Sequence, residues 1–244
     1  MAETLITLTI IGIIAALTVP SLISEYRKHS YVVGLKKAYS QLQNAVKMIP
    51  ITEGCSAGDY ECTGLLQGIT GKWGLGEWVH DNPVTNIDGQ DFGGNAGKKH
   101  AYLFSKQFKT SWFGNITSSL GFNFADGSYP SVFEYGFITQ DGITYAFNNA
   151  SIGIDINGRK GPNKTGRDIF YLEIAGTDQN GISKGTIIPF GSKLQATYYG
   201  NEDYSYWKNN KFCTTQKAND STWVNWEKGR YCTGRVLEED AMNY

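Results

Sequence analysis

The chain is poor in histidine, in charge and in any excess of one charge sign. Its three histidines, His29, His80 and His100, are scattered. Its four cysteines form no CxxC, and no histidine lies near them in sequence, so a zinc site is a poor reading. Lys and Arg total 22 against 23 Asp and Glu, a net charge of −1. That balance gives no global attraction for nucleic acid, and no nucleic acid is expected as a partner. There is no GxxxxGK[ST], and no GxGxxG follows a clear strand, which argues against a phosphate-cradling loop. No Ser/His/Asp order, metal triad or paired-carboxylate constellation emerges, so the chain is not expected to be an enzyme. Internal repeats and low-complexity tracts are absent too.

The most informative absence is local. From Thr4 to Ser24 there is no charged residue, while the carboxylate of Glu3 stands at the edge of that run. A helix rises about 1.5 Å per residue, so about 20 uncharged residues span a hydrocarbon layer of ~30 Å. Small residues at Gly12, Ala15 and Ala16 allow close helix approach in lipid. Pro20 lacks a backbone donor, and a kink or local melting is expected there. Beyond the run, Tyr31, Leu35, Ala38, Leu42, Ala45 and Val46 recur at helical spacing, with Lys36, Lys37, Gln41 and Gln43 between them. The spacing predicts one helix of roughly 45 residues, membrane-spanning over 1–24 and amphipathic over 25–50, ended by Pro50 and Gly54. A signal peptide would have a basic start and a shorter apolar core. A simple single-pass anchor leaves Glu3 unexplained, because carboxylates at a bilayer are costly and usually paired.

The cysteines are Cys55, Cys62, Cys213 and Cys232. An even count beside an apolar N-terminal segment fits two disulfides in an oxidising compartment. Of the three connectivities available, sequence locality favours Cys55–Cys62 and Cys213–Cys232. Closing the second loop stabilises the fold by roughly 3 kcal/mol on the chain-entropy model.

AETLITLTIIGIIAALTVPSLI, residues 2–23, resembles the N-terminus of type IV pilins and type II secretion pseudopilins. That signature is a Gly cleavage site, an aromatic or Met residue, Thr-Leu, a small or apolar residue, then Glu and an apolar helix containing Pro. The resemblance implies a pilin-like α+β fold, a long N-terminal helix packed on an antiparallel β-sheet. It implies that Glu3 directs subunit assembly by pairing with the N-terminal amine of a neighbouring subunit. Such a pair sets axial register, because either charge alone in low dielectric is expensive. It further implies partners: copies of the chain and other pilins, the bacterial inner membrane before assembly, and a prepilin peptidase acting on a precursor. Met1 stands where the family has Leu, and the basic leader and its Gly are not in the sequence; an upstream start is expected. The basic residues Arg27, Lys28, Lys36 and Lys37 would, on the positive-inside rule, put their side in the cytoplasm. The resemblance implies the reverse topology, with the soluble domain outside, and the cysteines agree with it.

Residues 51–130 read as a helix-to-sheet loop region, with turn-rich stretches such as GITGKWGLGEW and DGQDFGGNAGKKH. Residues 131–190 read as antiparallel sheet. SVFEYGFIT and ITYAFNN are joined by the hairpin signal Asp141-Gly142, and SIGIDIN and RDIFYLEI follow. Sheet against amphipathic helix gives the α+β arrangement. Between the last two strands, DINGRKGPNKTGRD carries Asp155, Asn157, Asn163 and Asp168 among Gly158, Gly161 and Gly166. Calcium takes roughly six to eight oxygens on a tightly turning backbone, and the DxNG opening is like that of an EF-hand loop. No Glu closes the loop, Arg159, Lys160, Lys164 and Arg167 oppose a cation, and turn chemistry accounts for the same residues. Calcium is the one cofactor candidate. The segment also resembles a stretch recurrent in pilin-like proteins.

Residues 191–244 form a C-terminal region bounded by Cys213 and Cys232, which resembles the disulfide-bounded region of type IV pilins. Tyr198, Tyr199, Tyr204, Tyr206 and Trp207 cluster there, as packing or as a binding surface. Two functions are therefore expected in order. The first is a structural subunit of a type IV pilus-like or type II secretion pseudopilus filament, periplasmic or extracellular once assembled. The second is a membrane-anchored adhesin or glycan-binding module. A reading frame extended upstream of Met1 should encode a basic leader ending in Gly. A stop codon immediately before Met1 in the gene would overturn that expectation.

Overall fold

The computed structural model describes residues 2–53, 86–87, 90–91, 96–116, 133, 135–148, 151–158, 160–176, 178–200, 213, 229 and 231–243. Helix α1 runs Ala2–Glu53. A short hairpin, β1 (Asn86–Ile87) and β2 (Gln90–Asp91), precedes helix α2 (Ala96–Ser105). The sheet is built from β3 (Thr110–Asn115), β4 (Tyr135–Thr139), β5 (Thr144–Asn148), β6 (Ser151–Asp155), β7 (Ile169–Ile174) and β8 (Ile187–Pro189). Helices α3 (Lys193–Tyr198) and α4 (Cys232–Glu239) complete the described elements.

Every strand of this six-stranded sheet is antiparallel to its neighbour, in the order β3-β4-β5-β6-β7-β8. The chain is thus α+β, a long N-terminal helix on an antiparallel sheet. The sequence predicts four strands here; β3 and β8 are additional, one at each edge. Strand β3 and helix α2 fall within the stretch read as helix-to-sheet loop, where alternation is interrupted by Gly and Asn and the periodic signal is faint. The turn at Asp141-Gly142 forms as its sequence dictates. Gly142 takes φ +88°, and Thr139 N donates to Ile143 O at 2.9 Å.

Helix α1 outruns its expected stop by passing through Pro50 to Glu53. Its last turn is held from outside: Lys106 Nζ pairs with Glu53 at 2.8 Å, and Gln107 Nε2 donates to Thr52 Oγ1 at 2.9 Å. Helical structure also continues through Pro20. A single proline removes only its own N–H from the ladder, and the turns on either side carry the helix across.

One helix therefore meets two environments. Tyr31, Leu35, Ala38, Leu42, Ala45 and Ile49 are buried, a stripe at alternating spacings of four and three, with Val32 buried beside it. It packs on Phe137, Tyr145, Phe147, Ile152, Ile154, Phe170, Leu172 and Ile187 from the sheet. Val46, placed in the stripe by sequence, is only partly buried, because it lies at the stripe's edge. Polar ties flank the seam. Tyr145 donates its hydroxyl to Gln41 Oε1 at 3.1 Å, and Lys37 pairs with Asp141 at 2.6 Å. Lys36 pairs with Asp240 at 2.5 Å. At Gly34, an added Cβ would lie 2.3 Å from Ile156 Cγ2, so only glycine lets the chain beyond β6 lie this close to the helix.

The opposite face of the sheet is covered as well. Ala146, Ile169, Tyr171 and Phe190 pack with Ile116 and Phe133. This explains why strands such as Ile169–Ile174 are buried on both sides rather than alternating. Cys213 is bridged to Cys232 at the start of α4, with a Cα–Cα distance of 4.6 Å. Cys55 and Cys62 lie outside the described residues. Leu42→Ala should lower unfolding free energy by about 2–5 kcal/mol, the usual range for an emptied Leu site in a core. Ile13→Ala, on the exposed part of α1, should leave it unchanged. Urea titration of the detergent-solubilised chain checks both.

Candidate functional site

Two regions carry the features singled out by sequence. The first is the free part of α1. Leu5, Ile6, Leu8, Ile10, Ile11, Ile13, Ile14, Leu17, Val19, Leu22 and Ile23 are all exposed. The most apolar window of the helix has a mean hydropathy of 2.3, and none of it is buried. This is one N-terminal helix long and apolar enough to cross a membrane. Four of its hydroxyls are turned back on the helix itself. Thr7 donates to Thr4 O at 3.0 Å, Thr9 to Leu5 O at 2.7 Å, Thr18 to Ile14 O at 2.9 Å and Ser21 to Thr18 O at 2.8 Å. Hydroxyls satisfied in this way suit a lipid environment, where water is not available to them. Glu3 lies in the first turn and Pro20 near the end of the exposed stretch, both exposed.

The second region is the loop from Asp155 to Asp168, which connects β6 to β7. The sheet positions its two ends. Asp155 is the last residue of β6 and stands opposite Ile169 of β7 on one side and Thr144 of β5 on the other. Ile156 N donates to Asp168 O at 2.9 Å and closes the loop's neck. Asp168 is fully buried, and its two carboxylate oxygens accept from Asn163 N at 2.8 Å and Lys164 N at 2.6 Å. Asn163 reaches this position with φ 48°, a left-handed conformation that Asn tolerates better than most residues. Asp155 is fully buried, and its Oδ1 accepts from Asn157 N at 3.2 Å.

All four residues proposed from sequence as calcium ligands thus belong to one closed loop. Sequence reasoning missed Thr144. It sits on a different strand, and only the β5–β6 register sets it beside Asp155; the hairpin and strand patterns carry no signal for that placement. Several oxygens in this group have no hydrogen-bond partner: Thr144 Oγ1, Asp155 Oδ2, Asn157 Oδ1, Asn163 Oδ1 and Thr165 Oγ1. A buried polar atom left unpaired costs about 1–3 kcal/mol, so a concentration of them in one loop is unusual. Burial, and then the negative charge of Asp168, raise the Asp155 carboxyl to about 8. Burial also raises Asp168, against the lowering effect of its backbone donors.

The described basic residues of the loop do not neutralise it. Lys160 and Lys164 are exposed, Arg167 is partly so, and among the described residues neither aspartate forms an ion pair. No group of three or more His, Cys, Asp or Glu side chains suited to a metal occurs among the described residues. A cation here would rely on two carboxylates supplemented by hydroxyl and amide oxygens. That donor set, all oxygen, fits calcium.

The aromatic cluster is partly described. Tyr198 is buried, and Tyr199 donates its hydroxyl to the buried Glu173 at 2.8 Å. Both are packing residues. Tyr204, Tyr206 and Trp207 lie outside the described residues.

In a chelator, folded Asp155 holds its proton up to about pH 8, whereas an unfolded Asp releases it near about pH 4. The folded state then binds more protons across that window, so stability should fall as pH rises through it. Asp155→Asn should flatten the slope, which denaturation midpoints at pH 5 and pH 8 will measure. Comparison with protein-family models, with curated proteins and with solved structures finds no match for this chain.

Proposed function

We propose that this chain is a structural subunit of a type IV pilus-like or type II secretion pseudopilus filament. In this reading it is held in the bacterial inner membrane by the first half of α1, with its sheet domain outside the cytoplasm. It polymerises through that same helix into a periplasmic or extracellular filament. Its partners are copies of itself and other pilins.

The observation that supports this reading most is the division of α1 at Tyr31. One uninterrupted helix is buried against the sheet from Tyr31 onward, while the large apolar side chains before it are exposed. A membrane anchor needs the apolar length. A filament subunit needs that length to be rigidly continuous with its domain, so that bundling the helices fixes where the domains sit. The seam with the sheet supplies such continuity. The N-terminal motif adds Glu3 as the charge that pairs with the amino terminus of a neighbouring subunit and sets the axial step. An unpaired charge among apolar helices is expensive, so every other step is disfavoured.

Glu3→Ala should abolish filament formation while leaving membrane insertion and domain folding intact. Electron microscopy of sheared filaments, with membrane fractionation alongside, reads both outcomes. Filaments at normal abundance and length without Glu3 would count against assembly through this residue and favour the anchored binding module.

A further inference from the structure

Between the uncharged run of α1, which ends at Ser24, and its first buried residue, Tyr31, lies a short collar. It reads Glu25, Tyr26, Arg27, Lys28, His29. Tyr26, Arg27 and His29 are exposed. Lys28 is taken by Glu25, whose carboxylate it meets at 2.9 Å. Arg27 forms no ion pair among the described residues.

The fold brings a second set of basic residues to the same place. In the loop from β6 to β7, Asn157 Nδ2 donates to Tyr31 Oη at 3.3 Å, and Ile156 packs on the bare backbone of Gly34. The loop is thus seated on the first turns of α1 that the domain covers. Its Lys160 and Lys164 are exposed and its Arg167 partly so, and none of the three forms an ion pair among the described residues. Nearby acids do not offset them. Asp155 and Asp168 are fully buried, Asp141 is taken by Lys37 at 2.6 Å, and Asp240 by Lys36 at 2.5 Å. Among the described residues, the unpaired charges that collar and loop leave open to solvent are therefore basic, in a chain whose net charge is −1.

Depth decides what these charges meet. The run from Thr4 to Ser24 gives about 30 Å of helix, the thickness of a hydrocarbon core. The headgroup layer adds about 5–8 Å on each side. Ser24 to Tyr31 is about 10 Å along the helix. The collar then lies in the headgroup layer, and the loop on Tyr31 lies at its outer edge. That is within about one Debye length (~8 Å at physiological salt) of the lipid phosphates. Tyr26 suits the interface as an amphipathic ring, and the guanidinium of Arg27 suits a phosphate.

We propose that the collar and the β6–β7 loop form one basic platform that binds the phosphate headgroups of anionic lipids, through Arg27, Lys160, Lys164 and Arg167. Because α1 is continuous with the domain core, binding on the side of the loop sets the tilt of the whole chain on the bilayer. An acidic protein surface carries the same charge, but the anchor already holds these residues against lipid at an effective concentration that a free partner does not reach. The platform rests on the membrane-spanning reading of the first half of α1 and not on filament assembly.

The test places the full chain in bilayers made of equal amounts of phosphatidylcholine and phosphatidylglycerol. Resistance to alkaline extraction reports insertion. Spin-labelled lipids of each headgroup report which one is held in the motionally restricted shell around the chain. Phosphatidylglycerol should be preferred by roughly fivefold or more, the gain expected from even one basic residue near an anionic surface. The preference should collapse in about 1 M salt, where the Debye length is ~3 Å. Lys160→Gln, Lys164→Gln and Arg167→Gln together should remove about half of it or more, and adding Arg27→Gln should remove most of the rest. All four positions are at the surface, so thermal midpoints should not move. An inserted chain without the preference overturns the proposal and leaves the anchor standing, whereas a chain that alkali extracts overturns both. A preference that the three loop substitutions leave unchanged also overturns it, because the collar alone would then account for it. Should those substitutions lower filament yield instead, with lipid preference intact, the occupant is an acidic face of a second copy and the lipid platform is wrong.

Discussion

The seam between α1 and the sheet is what the rest of the molecule depends on. Leu35, Leu42 and Ile49 are fully buried there, and the sheet has no other helix of comparable length among the described elements. Burying a Leu or Ile side chain contributes about 1.5–3 kcal/mol, so a stripe from Tyr31 to Ile49 is a substantial part of what holds the domain together. The seam also gives the exposed half of α1 its mechanical meaning. A helix tethered by a flexible linker could anchor a domain but could not position it. A helix whose second half belongs to the core carries the domain's orientation with it.

The polar interactions around the seam are subordinate to it but not arbitrary. The Lys36–Asp240 and Lys37–Asp141 pairs are solvent-accessible, and such pairs contribute little to stability. What they do is join α1 to two separate parts of the domain, the β4–β5 hairpin and the end of α4. The Tyr145 bond to Gln41 satisfies a hydroxyl that the core would otherwise strand. At the far end, Thr233 of α4 accepts from Tyr171 N at 2.9 Å, and the disulfide beside it ties that helix to Cys213. The result is a sheet covered on both faces. That coverage explains why its central strands are so apolar and why the covering elements lie far apart in sequence.

The loop 155–168 departs from this pattern. Everywhere else the described interior is mostly apolar or paired. Here two buried acids, held by backbone donors, lie among several buried oxygens that have no hydrogen-bond partner. A protein interior tolerates such a group where it serves some purpose or holds something that completes it. Its placement against Tyr31 and Gly34 puts it at the joint on which the behaviour of the exposed helix depends.

The apolar run, the amphipathic continuation and the hairpin at Asp141-Gly142 were legible in the sequence because each follows from a local rule. A period of 3.6 residues marks a buried helix face, uncharged length marks membrane compatibility, and Asp-Gly marks a tight turn. Asp155, Asn157, Asn163 and Asp168 could also be named, since they share one short segment. The edge strands β3 and β8, the continuation of α1 past Pro50 and the placement of Thr144 beside Asp155 could not. They depend on partners distant in the chain: β4 for β3, Lys106 and Gln107 for the last turn of α1, and Asp155 across a ladder for Thr144. The sequence by itself determined the long helix, the four central strands and the Asp-Gly turn, and which acids are available. Tertiary structure decided which of them meet, because strand register and burial are set by the whole core and not by any one segment of it.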